Sequence, residues 1–149
     1  MRIESQAFKD GDIIPSKFTC DGSNINPELS FFEVPEGTVS LALIVDDPDS
    51  VGGRTFLHWA IWNISPKKAK IQEGFAPDEA VEGRNDFGKI GYGGPCPGDG
   101  KKHHYRFKLF AIKGILNLSP NSNIEEIENE MATKGLLTKA ELVGIYGRK

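Results

Sequence analysis

Three histidines and two aspartates are the side chains of this sequence whose types and positions could form a binding site. They stand at the ends of apolar segments and are Asp47, Asp49, His58, His103 and His104. Binding residues tend to lie beside turns that a rigid scaffold positions. Considered one at a time, each histidine is explained as a residue that caps the end of a strand, and each aspartate as a residue that closes a turn. Together, if the segment ends converge, they predict a small polar pocket.

The apolar segments that would position these residues have the patterns of β-strands. Residues 39–45 form a continuous apolar run, which is typical of a strand buried on both faces. Residues 103–112 alternate, so that His103 and Tyr105 share one face and His104 lies on the other. In residues 58–64, strict alternation predicts that Trp59 lies opposite the face formed by His58, Ala60, Trp62 and Ile64.

The remaining elements are one helix, one strand and one long loop. The helix is predicted to begin at a capping box formed by Ser122-Asn123-Ile124-Glu125 and to end at Lys134-Gly135. A final strand over residues 140–146 would return to the sheet. Residues 75–99 are rich in glycine and proline and predict a long ordered loop, a feature that is usually functional in a compact domain.

Composition limits the classes of function. The length of 149 residues predicts a single domain spanning 1–149. Hydrophobic residues make up 38% of the chain and charged residues 26%, which is typical of globular proteins. The formal charge of -3 without a long basic run excludes a nucleic-acid-binding footprint. No apolar run approaches the ~20 residues that a membrane span needs, so an integral membrane protein is not expected.

The N-terminal segment and the cysteines bear on location. Residues 1–12 lack the apolar core of a secretory signal. Cys20 and Cys96 are 76 positions apart, a usage that favours reduced thiols over a disulfide scaffold. These two observations predict a soluble cytoplasmic protein.

Five fragments in order carry a resemblance to a known family. They are DPD at 47–49, HW at 58–59, GRNDFG at 83–88, GYGGPCP at 91–97 and HHY at 103–105. Together they resemble the bacterial and archaeal branch of the phosphatidylethanolamine-binding protein family, also called the Raf kinase inhibitor protein family. The resemblance extends from about residue 18 to residue 146.

The resemblance implies both a fold and a site. The fold would be mainly β, an antiparallel Greek-key β-sandwich with a short C-terminal helix, with a small anion-binding cavity near the surface. Carried over by motif, the ligand-binding residues would be Asp47, His58, Gly94, Pro95, His103 and Tyr105. The ligand would be a phosphate-containing or other small anion, such as a phospholipid headgroup, a nucleotide or a phosphorylated residue.

Elementary chemistry gives each of these groups an expected role. Two imidazoles, a tyrosine hydroxyl and free backbone N–H groups of Gly93-Gly94 would donate hydrogen bonds to an oxyanion. Asp47 would orient or charge an imidazole and raise its pKa. Anion affinity should then rise as pH falls through the histidine range.

The residues are compatible with three classes of function. The first is a binding protein without a cofactor, which in particular branches of the family modulates a kinase or protease through a protein partner. The second is a hydrolase that uses His and Asp as general acid and base, although no clear nucleophile is present. The third is a metal site formed by Asp47, His58 and His103, whose spacing matches no ligand motif. The resemblance also implies a homodimer.

Overall fold

In the computed structural model, which describes residues 1–68 and 70–148, eight strands form two antiparallel sheets and one α-helix covers the larger sheet. The elements in chain order are β1 (Arg2–Glu4), β2 (Leu29–Phe32), β3 (Ser40–Asp47), β4 (Phe56–Ile64), β5 (Lys70–Ile71), β6 (Val81–Glu82), β7 (His103–Ile112), α1 (Ile124–Lys134) and β8 (Leu136–Tyr146). A short 3₁₀-helix spans Ser16–Phe18. The mainly β architecture predicted from the sequence is confirmed.

The order of strands explains the burial of β3. The larger sheet has the order β6-β4-β3-β7-β8, and the smaller sheet has the order β1-β2-β5. Because β3 is central and both faces of its sheet are covered, all eight of its residues are buried. The end of β3 therefore meets the start of β4 and the start of β7, where Asp47 pairs with Phe56 and Asp46 pairs with Arg106.

Two hydrophobic cores lie on the two faces of the larger sheet. The core between the sheets contains Trp59, Tyr105 and Phe107 together with residues of β1 and β2. The core between the larger sheet and α1 contains Trp62 with Ile127 and Met131 of the helix. The prediction that Trp59 and Trp62 lie on opposite faces is thus confirmed.

The prediction that His58, Ala60, Trp62 and Ile64 share one face of β4 is wrong. Ala60 and Trp62 lie in the core beneath α1, but Ile64 lies in the core between the sheets. The His58 ring packs against Tyr105, also on the side of the smaller sheet, with ring centroids 5.2 Å apart. The periodicity of two fails at both ends of the strand.

β-Bulges cause this departure. Trp59 pairs with Val45, but the next pair joins Leu57 to Asp46, which leaves His58 as an additional residue on β4. A second register shift occurs near the far end of β4, where Asn63 has a positive φ of 58°. A bulge reverses the alternation beyond it, so that His58 faces the side of the sheet that carries Tyr105.

The other predicted elements need smaller corrections. Strand β7 matches its predicted bounds, whereas β8 begins at Leu136, four residues before the predicted start at Ala140. The capping box is shifted by one residue, because Asn123 is the N-cap and exchanges hydrogen bonds with Glu126. The loop predicted over 75–99 contains the short strand β6 and is otherwise irregular.

The prediction of reduced thiols is wrong, because Cys20 and Cys96 form a disulfide with Cα atoms 5.4 Å apart. Separation along the chain says nothing about proximity after folding. The Cys20 N–H donates to the Pro95 carbonyl at 3.1 Å, so backbone contacts also join the two segments. The bridge ties the 3₁₀-helix region to the glycine-rich loop. Among the described residues, no helix has the length and apolar character needed to span a membrane.

Removing the disulfide should destabilise the protein. We expect the double variant Cys20→Ser/Cys96→Ser to lose about 2–5 kcal/mol of unfolding free energy, because the bridge closes a long loop in the unfolded chain. Urea unfolding of the oxidised protein and of the double variant measures this loss. Two free thiols in the denatured, unreduced wild-type protein would contradict the assignment of the bridge.

Candidate functional site

A cavity of about 130 Å³ lies where the end of β3 meets the starts of β4 and β7. Its lining residues come from these strands and from the loops that follow β3 and precede β7: Asp47, Ser50, Val51, Phe56, His58, Phe87, Cys96, Pro97, Gly98, His103 and Tyr105. The convergence of segment ends predicted from the sequence is therefore present. Of the six predicted site residues, the structure brings four to the cavity wall: Asp47, His58, His103 and Tyr105.

His103 and Asp47 form a buried pair at the base of the cavity. The Nδ1 atom of His103 lies 2.7 Å from Oδ2 of Asp47, and the two side chains are only 3% and 5% exposed. The other oxygen of Asp47 accepts a hydrogen bond from the Asp49 N–H at 2.7 Å. The carboxylate is thereby fixed on both sides, and it orients the imidazole as predicted.

The second nitrogen of His103 contacts a residue that sequence reasoning missed. Its Nε2 atom lies 2.9 Å from each oxygen of Asp99, four residues earlier in the loop before β7. Carboxylates only accept hydrogen bonds, so both ring nitrogens of His103 donate and the ring is an imidazolium. Burial opposes this charge, but the hydrogen bonds to Asp47 and Asp99 outweigh it and raise the pKa of His103. The hydrogen bond from His103 in turn lowers the pKa of Asp99.

His58 has the opposite electrostatic character. Its side chain packs among the aromatic rings of Phe56, Phe87 and Tyr105. Its Nδ1–H donates to the carbonyl oxygen of Gly93 at 2.7 Å. Burial lowers the pKa of His58, so at neutral pH the ring is uncharged. The prediction that both imidazoles donate to an anion needs correction, because neutral His58 offers the cavity an acceptor at Nε2.

The Tyr105 hydroxyl is the remaining polar group of the predicted set. The residue is buried and its ring stacks near that of His103, at a centroid distance of 6.4 Å. Tyr105 lines the cavity together with His58 and His103. Burial raises the pKa of Tyr105, which keeps the hydroxyl protonated and able to donate.

The structure does not place Gly94 and Pro95 on the cavity wall, and the predicted donors of the Gly93-Gly94 turn are already used. The Gly93 N–H donates to the His58 carbonyl at 2.9 Å, and the Gly94 N–H donates to Oδ1 of Asn24 at 2.8 Å. A Cβ atom at Gly94 would collide with the Phe18 carbonyl, so packing requires this glycine. The turn positions His58 and does not contribute a nest of free N–H groups.

Asn85 is a second residue whose role the sequence did not reveal. Its buried amide donates to the Gly91 carbonyl at 2.9 Å and accepts from the N–H groups of Phe87 and Lys89. These bonds close the turn that places Phe87 at the cavity. The spacing of Asn85 and Gly88 is typical of a turn and could have indicated this structural role.

His104 lies outside the cavity, as the alternation in β7 predicts. Its side chain is 56% exposed, and its Nδ1 atom lies 2.7 Å from Oδ2 of Asp49 on the surface. The hydrogen bonds from His104 lower the pKa of Asp49. In the described part of the chain, His103–Asp47 and His104–Asp49 thus have the same separation of 2.7 Å, one pair buried at the cavity and the other exposed, so the exposed pair is a control for the buried one.

Asp47, His58 and His103, the three residues of the predicted metal site, are not arranged as metal ligands. Among residues 1–68 and 70–148, no group of three or more His, Cys, Asp and Glu side chains is arranged to hold a metal ion. Asp47 and His103 instead bond directly to each other, and Nδ1 of His58 is used by Gly93. The arrangement suits hydrogen bonding to an oxyanion better than ligation of a cation.

Comparisons with known proteins agree with the resemblance noted in the sequence. A family model described as phosphatidylethanolamine-binding protein matches residues 4–147. A UPF0098 protein of Pyrococcus abyssi is 44% identical over 153 residues, covering 97% of this chain and 84% of the relative. The crystal structure of a phosphatidylethanolamine-binding protein homologue from Chlamydia trachomatis superposes with a TM-score of 0.92 at 38% identity, over 99% of this chain and 97% of that one. YbcL of Escherichia coli, described as a member of the mammalian PEBP family, also gives a TM-score of 0.92, at 33% identity over 99% and 98% of the two chains.

The raised pKa of His103 predicts how stability depends on pH. Its contribution is fully present below the unfolded pKa of about 6.5 and is lost as pH rises through the higher folded value. We expect Asp47→Asn to lose about 1–3 kcal/mol of unfolding free energy at pH 6 and to flatten this decline, because the variant replaces a charged acceptor of the imidazolium with a neutral amide.

Urea unfolding between pH 5.5 and 9 tests this expectation. Asp49→Asn, which alters the exposed pair with His104, is the control and should lose no more than about 1 kcal/mol. Equal losses and equal pH profiles for the two variants would contradict a charged, buried His103.

Proposed function

The chain belongs to the phosphatidylethanolamine-binding protein family, and we propose that it binds a small oxyanion of phosphate type in the cavity at the ends of β3, β4 and β7. The observation that carries the proposal is the buried ring of His103 at the cavity, whose two nitrogens contact the carboxylates of Asp47 and Asp99. A buried cation that presents an N–H group beside a protonated tyrosine hydroxyl suits an oxyanion. The membership makes it a small binding protein of known fold.

The hydrogen-bonding pattern favours phosphate over a simple carboxylate. His103 and Tyr105 are donors, whereas neutral His58 is an acceptor at Nε2. A phosphate monoester, whose second pKa is about 6, exchanges a proton near neutral pH, and its monoanion carries one protonated oxygen beside oxygens that share the negative charge. One such group can satisfy all three side chains, but an ionised carboxylate has no proton for His58.

The volume of the cavity limits the size of the ligand. A volume of about 130 Å³ is well below the 300–1,000 Å³ typical of drug-sized ligands, so only a compact group such as a phosphate or a headgroup fits. Val51 and Phe87 line the cavity with exposed fractions of 71% and 46%. These apolar side chains would contact the organic part of a phosphate ester outside the cavity.

We propose binding in preference to catalysis. Cys96 lines the cavity, but its sulfur atom is bonded to Cys20 in the disulfide. It therefore has no free thiol that could act as a nucleophile. The Ser50 hydroxyl lines the cavity, but within the described part of the chain it has no hydrogen bond to either imidazole. Both nitrogens of His103 are already protonated, so His103 is not a general base, and neutral His58 with its acceptor Nε2 is the remaining candidate base of the cavity.

The sequence supports three further proposals about the protein. These are a homodimer, a cytoplasmic location and modulation of a kinase or protease through a protein partner. The argument for the cytoplasm from free thiols no longer holds, since Cys20 and Cys96 are bridged and disulfides are rare in that compartment. Cell fractionation and sedimentation measure the location and the oligomeric state directly.

Phosphate binding should depend on His103 and not on its neighbour. We expect His103→Ala to weaken the binding of phosphoethanolamine at least about 10-fold, because a hydrogen bond to a charged group contributes roughly 1.5–3 kcal/mol. His104→Ala is the matched control and should leave the affinity within twofold, since that ring is exposed on the other face. Isothermal titration calorimetry provides the affinities.

The same titration has a predicted pH dependence. Affinity should fall as pH rises through the raised pKa of His103, because the cavity then loses its cation. Affinity that is constant between pH 5 and 9, or equal losses in the His103 and His104 variants, would show that the anion does not bind at a charged His103.

A further inference from the structure

We propose that the Asp99 carboxylate is an internal ligand of the cavity, and that an external anion binds by displacing it from His103. This inference rests on the proposed anion-binding function and names what regulates the affinity of that site. Asp99 belongs to the loop between the disulfide and β7 and was not among the residues predicted from the sequence.

The contact geometry places Asp99 on the N–H group of His103 that an external oxyanion would need, in the surface depression that shares His103 with the cavity. Both of its carboxylate oxygens lie 2.9 Å from Nε2 of His103. The other ring nitrogen is used by Asp47, so Nε2–H is the donor that His103 can offer to a ligand. An oxyanion therefore cannot hydrogen-bond to His103 while Asp99 stays in place.

The net charge of the site also favours displacement of Asp99 over addition of a second anion. Asp47 and Asp99 contribute two negative charges and His103 contributes one positive charge, while buried His58 is neutral at pH 7. The filled site thus carries a net charge of about -1, which repels an added anion. Exchange of Asp99 for an external monoanion leaves this sum unchanged, so exchange is favoured over addition.

The two carboxylates differ in their freedom to leave. Asp47 is the last residue of β3 and is buried, whereas the Asp99 side chain is 25% exposed and lies between Gly98 and Gly100. A Cβ atom at either glycine would meet nothing within 4 Å, so the loop is not held by packing at these positions.

The surface beside the cavity offers the displaced carboxylate other partners. Lys101 and Lys102 line an exposed depression together with Asp99, and they can neutralise its charge after it leaves His103. The exchange can then occur within the loop, while β3 and β7 keep their positions.

An internal carboxylate also selects among ligands. Because it is tethered, its effective concentration at His103 is high, in the millimolar range or above for a short flexible linker. A weak single contact, such as that of acetate or chloride, competes poorly with it. A phosphate group, which can also bond to Tyr105 and His58, has the additional contacts that displacement requires.

The test compares inorganic phosphate binding to the wild type, Asp99→Asn and Asp49→Asn by calorimetry at pH 7 and fixed ionic strength. Asparagine retains the Oδ1 acceptor that caps the Lys101 N–H at 3.0 Å but removes the competing charge. We expect Asp99→Asn to bind phosphate about 3- to 10-fold more tightly, since hydrogen bonds to neutral acceptors are weaker than those to carboxylates. Asp49→Asn should change the affinity less than twofold.

The outcomes separate the two proposals. If the wild type binds phosphate through His103 but Asp99→Asn binds it equally or more weakly, the internal-ligand inference is overturned and the anion site stands. If neither protein binds phosphate and His103 is folded in place, the proposed function fails, and the inference fails with it. Asp99→Ala repeats the comparison should the asparagine variant unfold, with circular dichroism as the check of folding.

Discussion

The buried imidazolium of His103 is the interaction on which the whole site depends. A charge with 3% exposure is costly unless it is paired, and here Asp47 and Asp99 hold one N–H each. Removing Asp47 would change the charge and the orientation of the ring together, whereas another anion can take the place of Asp99 at Nε2. Uncharged His58, which lies on the other side of β3, shows how different surroundings give two histidines of one cavity opposite electrostatic roles.

The fold places these residues with little freedom. The antiparallel order β4-β3-β7 brings three strand ends together, and the bulge at His58 turns that ring toward Tyr105. The disulfide and the hydrogen bonds of Gly94 then hold the loop that carries the Gly93 carbonyl against the site. Preorganisation of this kind reduces the entropy that ligand binding would cost.

Sequence patterns predicted the sheet well and the loops poorly, for identifiable reasons. The side chains of strand β7 alternate between the two cores along the strand, so the bounds of the strand and the opposite faces of His103 and His104 followed directly. His58 was placed on the wrong face because a bulge changes the alternation without altering composition. The Cys20–Cys96 bridge and the Asp99 contact depend on loop paths, which neither periodicity nor spacing encodes.

The protonation state of His103 in the unliganded protein is the most direct test of this account. Long-range ¹H–¹⁵N NMR at pH 7 distinguishes protonated from unprotonated imidazole nitrogens. The account predicts two protonated nitrogens for His103, and for His58 one protonated nitrogen, Nδ1, with an unprotonated Nε2. A neutral His103 with an unprotonated Nε2 would contradict the central claim, because the cavity would then hold no cation for an oxyanion to meet.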